Sequence, residues 1–396
     1  MNNQPATSVR SPFYAVFRSI HILDSSLINA YFPKKSTALT EFSPERKRTP
    51  YMTNGCESET TSLNSPPSPH QQLATMPADK RGRLFGAGSS FQTKYVVPFM
   101  YKVFAHVPPR LLYNQIYYRL SKGARNLYAP TYQHRIFSTV NLETRTICNG
   151  KCLFCPASIK GVRPDELMPW EIFVNVIDQL KKISFSGQIA LFINNEPLLD
   201  SRLPQMVSYV RAACPAATVV VSTNGILLNL ERALELYRAG LDRLIVNMYT
   251  RNRSWLPQVH QIALELPDEY WRKTYVFFRR DDDELTNRAG ASPNKPKLTQ
   301  PIRAFCELPF NQINITASGR VGLCCLDYYF SEEMGNVAQQ ELLSIWFGAR
   351  LQQVRQSLLN YDRQAANLCT VCDYPGYKQL VGPYSIFRRF VPWLWW

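Results

Sequence analysis

The stretch ICNGKCLFCP, residues 147–156, decides how this sequence is interpreted, because it places Cys148, Cys152 and Cys155 within eight positions. With ten cysteines in 396 residues, the chance that thiols follow Cys148 at both +4 and +7 is on the order of 10⁻³. A structural zinc site needs a fourth protein ligand, and the nearest other candidates, His134 and Cys214, stand at no recognisable partner spacing. Three thiolates favour a 4Fe-4S cluster that keeps one iron free for a small-molecule ligand.

The sequence around this stretch has the pattern of an α/β protein. From about residue 136, short β-branched runs alternate with amphipathic segments, which is typical of βα units around a parallel sheet. The strands are predicted at 138–143, 188–194, 218–224, 243–248 and 274–279. Catalytic groups gather at the carboxyl ends of the strands in such sheets, and the three cysteines follow the first strand. We therefore expect a curved, partial βα barrel with its site at that end.

Composition divides the chain into five segments. Residues 1–78 are rich in Ser, Thr, Pro and Asn and are predicted to be a disordered extension. Residues 79–135 are predicted to be a basic, aromatic helical segment, since ten Lys and Arg and no acidic residue occur between 80 and 135. The barrel is expected over 136–299, a smaller cysteine-containing module over 300–378, and an aromatic, basic tail over 379–396.

Charge and hydropathy limit the classes of protein to consider. The apolar runs are interrupted by basic residues and are shorter than the roughly 20 residues that span a bilayer, so no transmembrane helix is predicted. The amino terminus lacks the features of a secretory signal, which predicts a reducing, cytoplasmic location where cysteines bind metals. The net charge of +15 and the aromatic tail suit peripheral contact with an anionic membrane, and a solvated helical hairpin is the alternative. No nucleic-acid partner is expected.

The arrangement Cys-x3-Cys-x2-Cys, with Phe154 before the third cysteine, resembles the radical S-adenosylmethionine (radical SAM) superfamily. The resemblance implies a partial (βα)6 barrel and a 4Fe-4S cluster on Cys148, Cys152 and Cys155, whose open iron binds the amino and carboxylate groups of SAM. It implies reductive cleavage of SAM to a 5′-deoxyadenosyl radical, which removes a hydrogen atom from the substrate. A reducing protein such as a flavodoxin or ferredoxin is the implied electron donor.

Three further motifs carry the resemblance in the same order along the chain. NNEP, residues 194–197, stands where the family has GGEP; the Glu and Pro match, and asparagines replace both glycines. STNG at 222–225 is similar to the ribose-binding segment, and VNMY at 246–249 ends the fourth predicted strand. The resemblance implies a SAM-binding set made of Phe154, Asn195, Glu196, Pro197, Ser222, Asn224, Asn247 and Met248.

The module from residue 300 resembles the auxiliary-cluster domains of this superfamily, the SPASM type and the shorter twitch type. Its pattern implies one auxiliary 4Fe-4S cluster on four cysteines, and the twitch type fits better because the further cysteines of a full SPASM domain are absent. The implied ligands are Cys306, Cys324, Cys369 and Cys372. Cys325 is an alternative to its neighbour Cys324, and a four-thiolate zinc site is the structural alternative to the cluster.

A cluster with four thiolate ligands has no open iron for a substrate, so the module is predicted to carry electrons, which favours oxidation. The expected reaction is dehydrogenation of a sugar, cyclitol or other small metabolite. Arg288, eighteen residues before Cys306, is the predicted catalytic residue, either in binding a polar substrate or in its deprotonation. Arg279 and Arg280 are alternatives, and a salt bridge to the acidic run 281–284 is the simpler explanation for each arginine.

Two other functions remain open at this point. Similar auxiliary modules serve enzymes that modify peptides, so a peptide substrate is the first alternative. The altered NNEP motif supports a second, a non-catalytic iron-sulfur scaffold or membrane adaptor.

Overall fold

The structure is a computed structural model that describes Lys80 and residues 84–85, 118–159, 161 and 163–376. The predictions for residues 1–78 and 379–396, and for most of 79–135, lie outside the described residues. Within the part of the chain that is described, no helix is both long enough and apolar enough to cross a membrane.

One sheet of nine strands organises the described chain. The strands are β1 (Leu84–Phe85), β2 (Thr139–Leu142), β3 (Gln188–Ala190), β4 (Thr218–Thr223), β5 (Arg243–Tyr249), β6 (Thr274–Arg279), β7 (Gln312–Ile315), β8 (Arg320–Gly322) and β9 (Glu333–Asn336). Their order is β1-β6-β5-β4-β3-β2-β7-β8-β9. Every pairing from β1 to β7 is parallel, whereas β8 and β9 are antiparallel.

The parallel core confirms the predicted partial βα barrel, since β2 to β6 coincide with the five predicted strands. The prediction for β3 was four residues too long, because the strand ends at Ala190. The Asn195 side chain accepts a hydrogen bond from Ile193 N at 3.0 Å. Local side-chain bonds of this kind compete with strand pairing.

Ten helices surround the sheet in the described residues. They are α1 (Tyr118–Tyr128), α2 (Trp170–Lys182), α3 (Leu203–Ala213), α4 (Leu230–Arg238), α5 (Pro257–Glu265), α6 (Asp268–Trp271), α7 (Leu308–Asn311), α8 (Leu342–Trp346), α9 (Ala349–Leu359) and α10 (Asn367–Thr370). Helices α2 to α5 each follow a parallel strand. In α2, Phe173, Val176, Ile177 and Leu180 are fully buried on one face, and each contributes about 1.5–3 kcal/mol through removal of apolar surface from water.

The two faces of the barrel strands differ in character. On β5, Leu244, Val246 and Met248 are buried against the helices. The alternate residues of β5 are only partly buried and include Asn247 and Tyr249, which point into the concave interior because successive side chains of a strand face opposite sides. The interior therefore carries polar side chains toward the carboxyl ends of the strands.

The cysteine-containing module continues the same sheet. Strand β7 pairs with β2, and the hairpin of β7 and β8 turns at Gly319, whose φ is +84°. A Cβ there would lie 2.9 Å from Asn336 Oδ1, so the turn requires glycine. Buried Arg355 on α9 donates to Pro309 O at 2.8 Å and Trp346 O at 2.7 Å, which joins α7, α8 and α9. The module is thus joined directly to the barrel strand that precedes the first cysteines.

Candidate functional site

The three cysteines of residues 147–156 lie together in the loop after β2. Gly150 N donates to Cys148 Sγ at 3.3 Å. A Cβ at position 150 would lie 3.3 Å from Cys148 Sγ and 3.8 Å from Cys152 Sγ. Glycine therefore lets the backbone approach the Cys148 sulfur closely, and the binding of a cluster by this loop stays a prediction.

The environment of these thiols bears on whether a cluster fits. Burial raises the pKa of Cys148 to about 11, and burial with the charges of Cys155 and Cys148 raises the pKa of Cys152 to about 12. Metal binding replaces such protons, and positive irons offset the cost of burying thiolates. In the described residues, no group of three or more His, Cys, Asp or Glu is arranged to hold a metal ion. A 4Fe-4S cube is larger than one ion, so its ligands are not gathered around a single point.

Glu196, the matching acid of NNEP, is buried at the end of β3. Its carboxylate accepts hydrogen bonds from Leu198 N at 3.1 Å, Thr223 Oγ1 at 2.7 Å and Asn224 N at 2.7 Å. Its own backbone N donates to Ile147 O at 3.0 Å. Glu196 therefore joins the ends of β3 and β4 to the cysteine loop. Pro197 follows it as the first residue of a short 3₁₀ helix.

Of the other polar residues predicted to contact SAM, Asn195 follows β3 and donates to Thr144 Oγ1 at 3.4 Å, and the rest lie on the interior side of β4 and β5 or directly after β4. Asn224 Nδ2 donates to Asn149 Oδ1 at 2.7 Å and lies 3.7 Å from Cys148 Sγ. Ser222 Oγ accepts from Asn247 Nδ2 at 3.0 Å, and Asn247 Oδ1 accepts from Arg279 Nε at 3.3 Å. The structure thus brings Asn224 against the first cysteine and places Ser222 and Asn247 on one polar row across the strands.

Met248 does not join this group. It is fully buried on the helix side of β5, where its sulfur accepts from Leu256 N at 3.5 Å. The alternation of the strand instead points Tyr249 to the interior, where its ring packs on Phe154 at a centroid distance of 5.3 Å. Tyr249 was not predicted from the sequence. Because alternate residues of a strand face the same side, its position two residues after Asn247 could have indicated that it faces the interior.

Arg288 lies where β3 ends, because its guanidinium donates to Asn194 Oδ1. Among the described residues, neither Arg288 Nε nor Asn194 Nδ2 has a hydrogen-bond partner, and both atoms are buried. Arg280 is different, since it pairs with Asp282 at 2.7 Å on the surface. The salt-bridge explanation therefore holds for Arg280, whereas Arg279 and Arg288 form no ion pair within the described chain.

The backbone at Arg288 is strained and held by its neighbour. Arg288 and Ala289 have φ of 47° and 53°, a conformation that is unfavourable for these residues. Asn287, which is completely buried, donates to Val371 O at 2.7 Å and Pro296 O at 3.2 Å. It also accepts from Asp373 N at 3.2 Å and Gly290 N at 3.3 Å. The loop that carries Arg288 is therefore hydrogen-bonded to Val371, which lies between Cys369 and Cys372, and to Asp373, which follows Cys372.

A buried ion pair that the sequence analysis missed also lines the interior. Glu143 follows β2 and is completely buried. Its two oxygens accept from Arg163 Nη1 at 2.8 Å and Nη2 at 2.5 Å. The Arg163 guanidinium lies over the Tyr328 ring, 5.4 Å from its centroid. The position of Glu143 at the carboxyl end of the first barrel strand was the signal that could have indicated it.

The auxiliary cysteines come from three separate stretches of the chain. Cys306 precedes α7, Cys324 follows β8, Cys369 lies in α10 and Cys372 follows that helix. Burial raises the pKa of Cys324 well above its usual range, and the charges of Cys325, Cys369, Cys372 and Cys306 raise it further. All five thiols therefore lie near one another. The Cys325 sulfur accepts a hydrogen bond from Gln312 Nε2 at 3.5 Å. Cys324 therefore stays the predicted cluster ligand, and its neighbour Cys325 stays the alternative.

Two family models match the chain in these regions. The model of the radical SAM superfamily covers residues 142–270, and the model of the SPASM iron-sulfur cluster-binding domain covers residues 306–373. The matched ranges contain the cysteine loop and the four auxiliary cysteines, respectively.

Similar proteins extend the likeness. An S-adenosyl-L-methionine-dependent 2-deoxy-scyllo-inosamine dehydrogenase of Niallia circulans is 26% identical over 239 residues, which are 60% of this chain and 94% of that protein. An Fe-coproporphyrin III synthase of Methanosarcina barkeri is 34% identical over 101 residues, and the match spans 24% of its length.

A solved structure agrees with this result. The crystal structure of BtrN in complex with AdoMet and 2-DOIA aligns with a TM-score of 0.55 and 26% identity, over 60% of this chain and 94% of that one. The fold, the two cysteine sets and the matching models agree. The chain therefore carries a radical SAM domain over residues 142–270 and a SPASM-type iron-sulfur cluster-binding domain over residues 306–373.

Proposed function

We propose that this chain is a radical SAM dehydrogenase that oxidises a secondary alcohol of a cyclitol or a related sugar-like metabolite to a ketone. The observation that carries the proposal is the position of Arg288, which contacts Asn194 in NNEP and is attached through Asn287 to the loop of Cys369 and Cys372. The likeness to the 2-deoxy-scyllo-inosamine dehydrogenase supports it.

When bound, SAM and the first cluster would supply hydrogen-atom abstraction from the substrate carbon, and the auxiliary cluster would supply a one-electron acceptor. The oxidation balances as one hydrogen atom to the deoxyadenosyl group, one electron to the auxiliary cluster and the hydroxyl proton to solvent, so the substrate loses two hydrogens in total. Cys148, Cys152 and Cys155 would hold the first cluster. The second would be held by Cys306, Cys324, Cys369 and Cys372.

The protein's own residues position the reaction. Glu196 fixes the cysteine loop against β3 and β4 through its four hydrogen bonds. Phe154 and Tyr249 form an aromatic wall beside the third cysteine. Arg288 and Asn194 each present a buried N–H without a partner in the described chain. Such donors suit a hydroxyl oxygen, and the positive charge of Arg288 favours loss of the hydroxyl proton.

A deuterium-transfer assay tests the proposal. The full chain is reconstituted anaerobically with iron and sulfide, and about eight irons per chain are expected from two clusters of the 4Fe-4S type. With dithionite, SAM and 2-deoxy-scyllo-inosamine deuterated at its carbinol carbons, deuterium should appear in 5′-deoxyadenosine and the substrate should lose two hydrogens. Related inositols and aminocyclitols form the substrate panel.

Two variants make this assay specific. Arg288→Gln should lower ketone formation at least 100-fold, while SAM binding at the first cluster persists. Arg280→Gln, which removes an exposed arginine paired with Asp282, should retain ketone formation. Ketone formation by Arg288→Gln at the native rate would contradict the proposed role of Arg288. A first cluster whose spectrum does not change with SAM would support the scaffold alternative instead.

The proposal extends to partners and location. A flavodoxin or ferredoxin is the proposed electron donor, and the cytoplasm is the proposed compartment, because reduced thiols are needed at seven positions. Peripheral membrane contact would involve residues outside the described chain, including 379–396. Liposome flotation of the full chain and of a chain ending at Gly382 tests this membrane contact. Equal partitioning of the two chains would show that the tail does not contribute to membrane binding.

A further inference from the structure

We propose that Arg363, assisted by the hydroxyl of Tyr374, raises the reduction potential of the auxiliary cluster. The inference rests on the proposed function only in assigning an electron-accepting role to that cluster. Arg363 lies after α9 and is 3% exposed. Its guanidinium donates to Ala304 O at 3.1 Å, Phe305 O at 3.5 Å and Tyr374 O at 2.7 Å.

These contacts place a buried positive charge beside the cluster ligands. Ala304 and Phe305 immediately precede Cys306, and Tyr374 stands two residues after Cys372. Gly376 packs against the guanidinium so closely that a Cβ there would lie 2.7 Å from Arg363 Nη2 and 2.0 Å from Phe305 O. The guanidinium is thus enclosed by the two backbone segments that carry these ligands.

The charge of Arg363 is not balanced by an acid. Carbonyl oxygens satisfy its N–H groups, but in the described part of the chain no carboxylate forms an ion pair with it. Buried arginines are normally paired. Four bound thiolates would supply the missing negative charge.

Tyr374 adds a second favourable group. Its hydroxyl is buried and has no hydrogen-bond partner among the residues that the structure describes. A buried donor without a partner is costly unless a bound group accepts from it. We assign a sulfur of the cluster as this acceptor, and the buried carboxylate of Glu307, which follows Cys306 directly, is the alternative acceptor.

The direction of the effect follows from electrostatics. A cluster with four thiolates is anionic, and reduction adds a further negative charge. A nearby cation and hydrogen bonds to the sulfurs both stabilise the reduced state more than the oxidised state, which raises the potential. A higher potential would make the auxiliary cluster a better acceptor for the electron that the substrate gives up.

The test is a redox titration of the reconstituted full-length enzyme followed by electron paramagnetic resonance. The auxiliary cluster is recognised as the signal that does not change when SAM is added. Arg363→Gln should shift the one-electron equilibrium at least tenfold toward the oxidised cluster, which is a midpoint lower by about 59 mV. Arg363→Lys keeps the charge and should stay closer to the native midpoint. Tyr374→Phe should shift the midpoint in the same direction by less.

Arg355→Gln is the matched control, because Arg355 is also a buried arginine that bonds only backbone carbonyls in the same module. It should lower stability and leave the auxiliary midpoint unchanged. A native midpoint in Arg363→Gln with full iron content would overturn the inference. If Arg363→Gln loses the auxiliary iron, Tyr374→Phe decides: a lower midpoint supports the inference, and an unchanged midpoint overturns it. The titration needs no substrate, so its outcome is independent of whether the chain oxidises a cyclitol.

Discussion

Replacing Asn287 with Ala should release the loop that carries Arg288 from the auxiliary module. The side chain makes four hydrogen bonds, two as donor to Val371 O and Pro296 O and two as acceptor from Asp373 N and Gly290 N. At a net value of about 1 kcal/mol each, their loss costs about 4 kcal/mol. The backbone bond from Asn287 N to Asp373 Oδ1 at 2.8 Å remains in the variant. The strained φ angles of Arg288 and Ala289 would lose only the side-chain bonds that help to hold them.

Hydrogen exchange measured by mass spectrometry is the assay, since it reports local opening separately from global unfolding. A cost of about 4 kcal/mol corresponds to exchange that is about a thousandfold faster, because each 1.36 kcal/mol is tenfold. The increase should be confined to peptides that cover residues 285–297 and 369–376. Ketone formation should fall with it, while the first cluster continues to bind SAM.

Asn229→Ala is the control for this experiment. Asn229 caps α4 with a single exposed bond to Arg232 N at 2.8 Å, and its loss costs about 1 kcal/mol. Exchange in residues 285–297 should not change in that variant. The reasoning would be refuted if Asn287→Ala accelerated exchange in that segment by less than tenfold, because the four bonds would then contribute almost nothing.

Three further predictions concern the first cluster, a buried ion pair and alkaline stability. Cys152→Ala should abolish 5′-deoxyadenosine release and lower the iron content from about eight to about four per chain, measured on the reconstituted protein. Arg163→Met leaves the Glu143 carboxylate buried without its partner and should lower the free energy of unfolding by about 3–5 kcal/mol in denaturant titrations; a change below 1 kcal/mol would contradict this. Burial raises the pKa of Tyr128 to about 12, above the value of about 10 in an unfolded chain. The contribution of the neutral phenol to the free energy of unfolding is therefore fully present below about pH 10 and is lost as the pH rises through 12. In denaturant titrations over that interval, the stability of Tyr128→Phe should depend less on pH than that of the native protein.

The chemistry of both cysteine sets was readable from the sequence. The spacing of Cys148, Cys152 and Cys155 indicates a three-thiolate site because chain connectivity alone brings residues so close together. The strands were predictable for a related reason, since β-branched runs and helical periodicity are local properties. The largest error of length is at β3, beyond which the Asn195 side chain makes a local hydrogen bond that no periodicity reports.

The residues that the sequence did not reveal act across large separations. Arg163 reaches Glu143, Asn287 reaches Asp373, and Arg363 reaches Ala304. No sequence motif marks any of these pairs, because each contact depends on how the fold places two distant segments of the chain side by side.

The sequence by itself therefore predicted the thiols of both sets. The spacing of Cys148, Cys152 and Cys155 is set by covalent connectivity, whereas the auxiliary set was implied by the family resemblance. Only the tertiary structure decided that Met248 faces the core, that Arg288 rather than Arg280 is free of an acidic partner within the described chain, and that a buried arginine lies beside the auxiliary thiols. Burial and unpaired charge are properties of packing, and packing is fixed by contacts between residues that are distant along the chain.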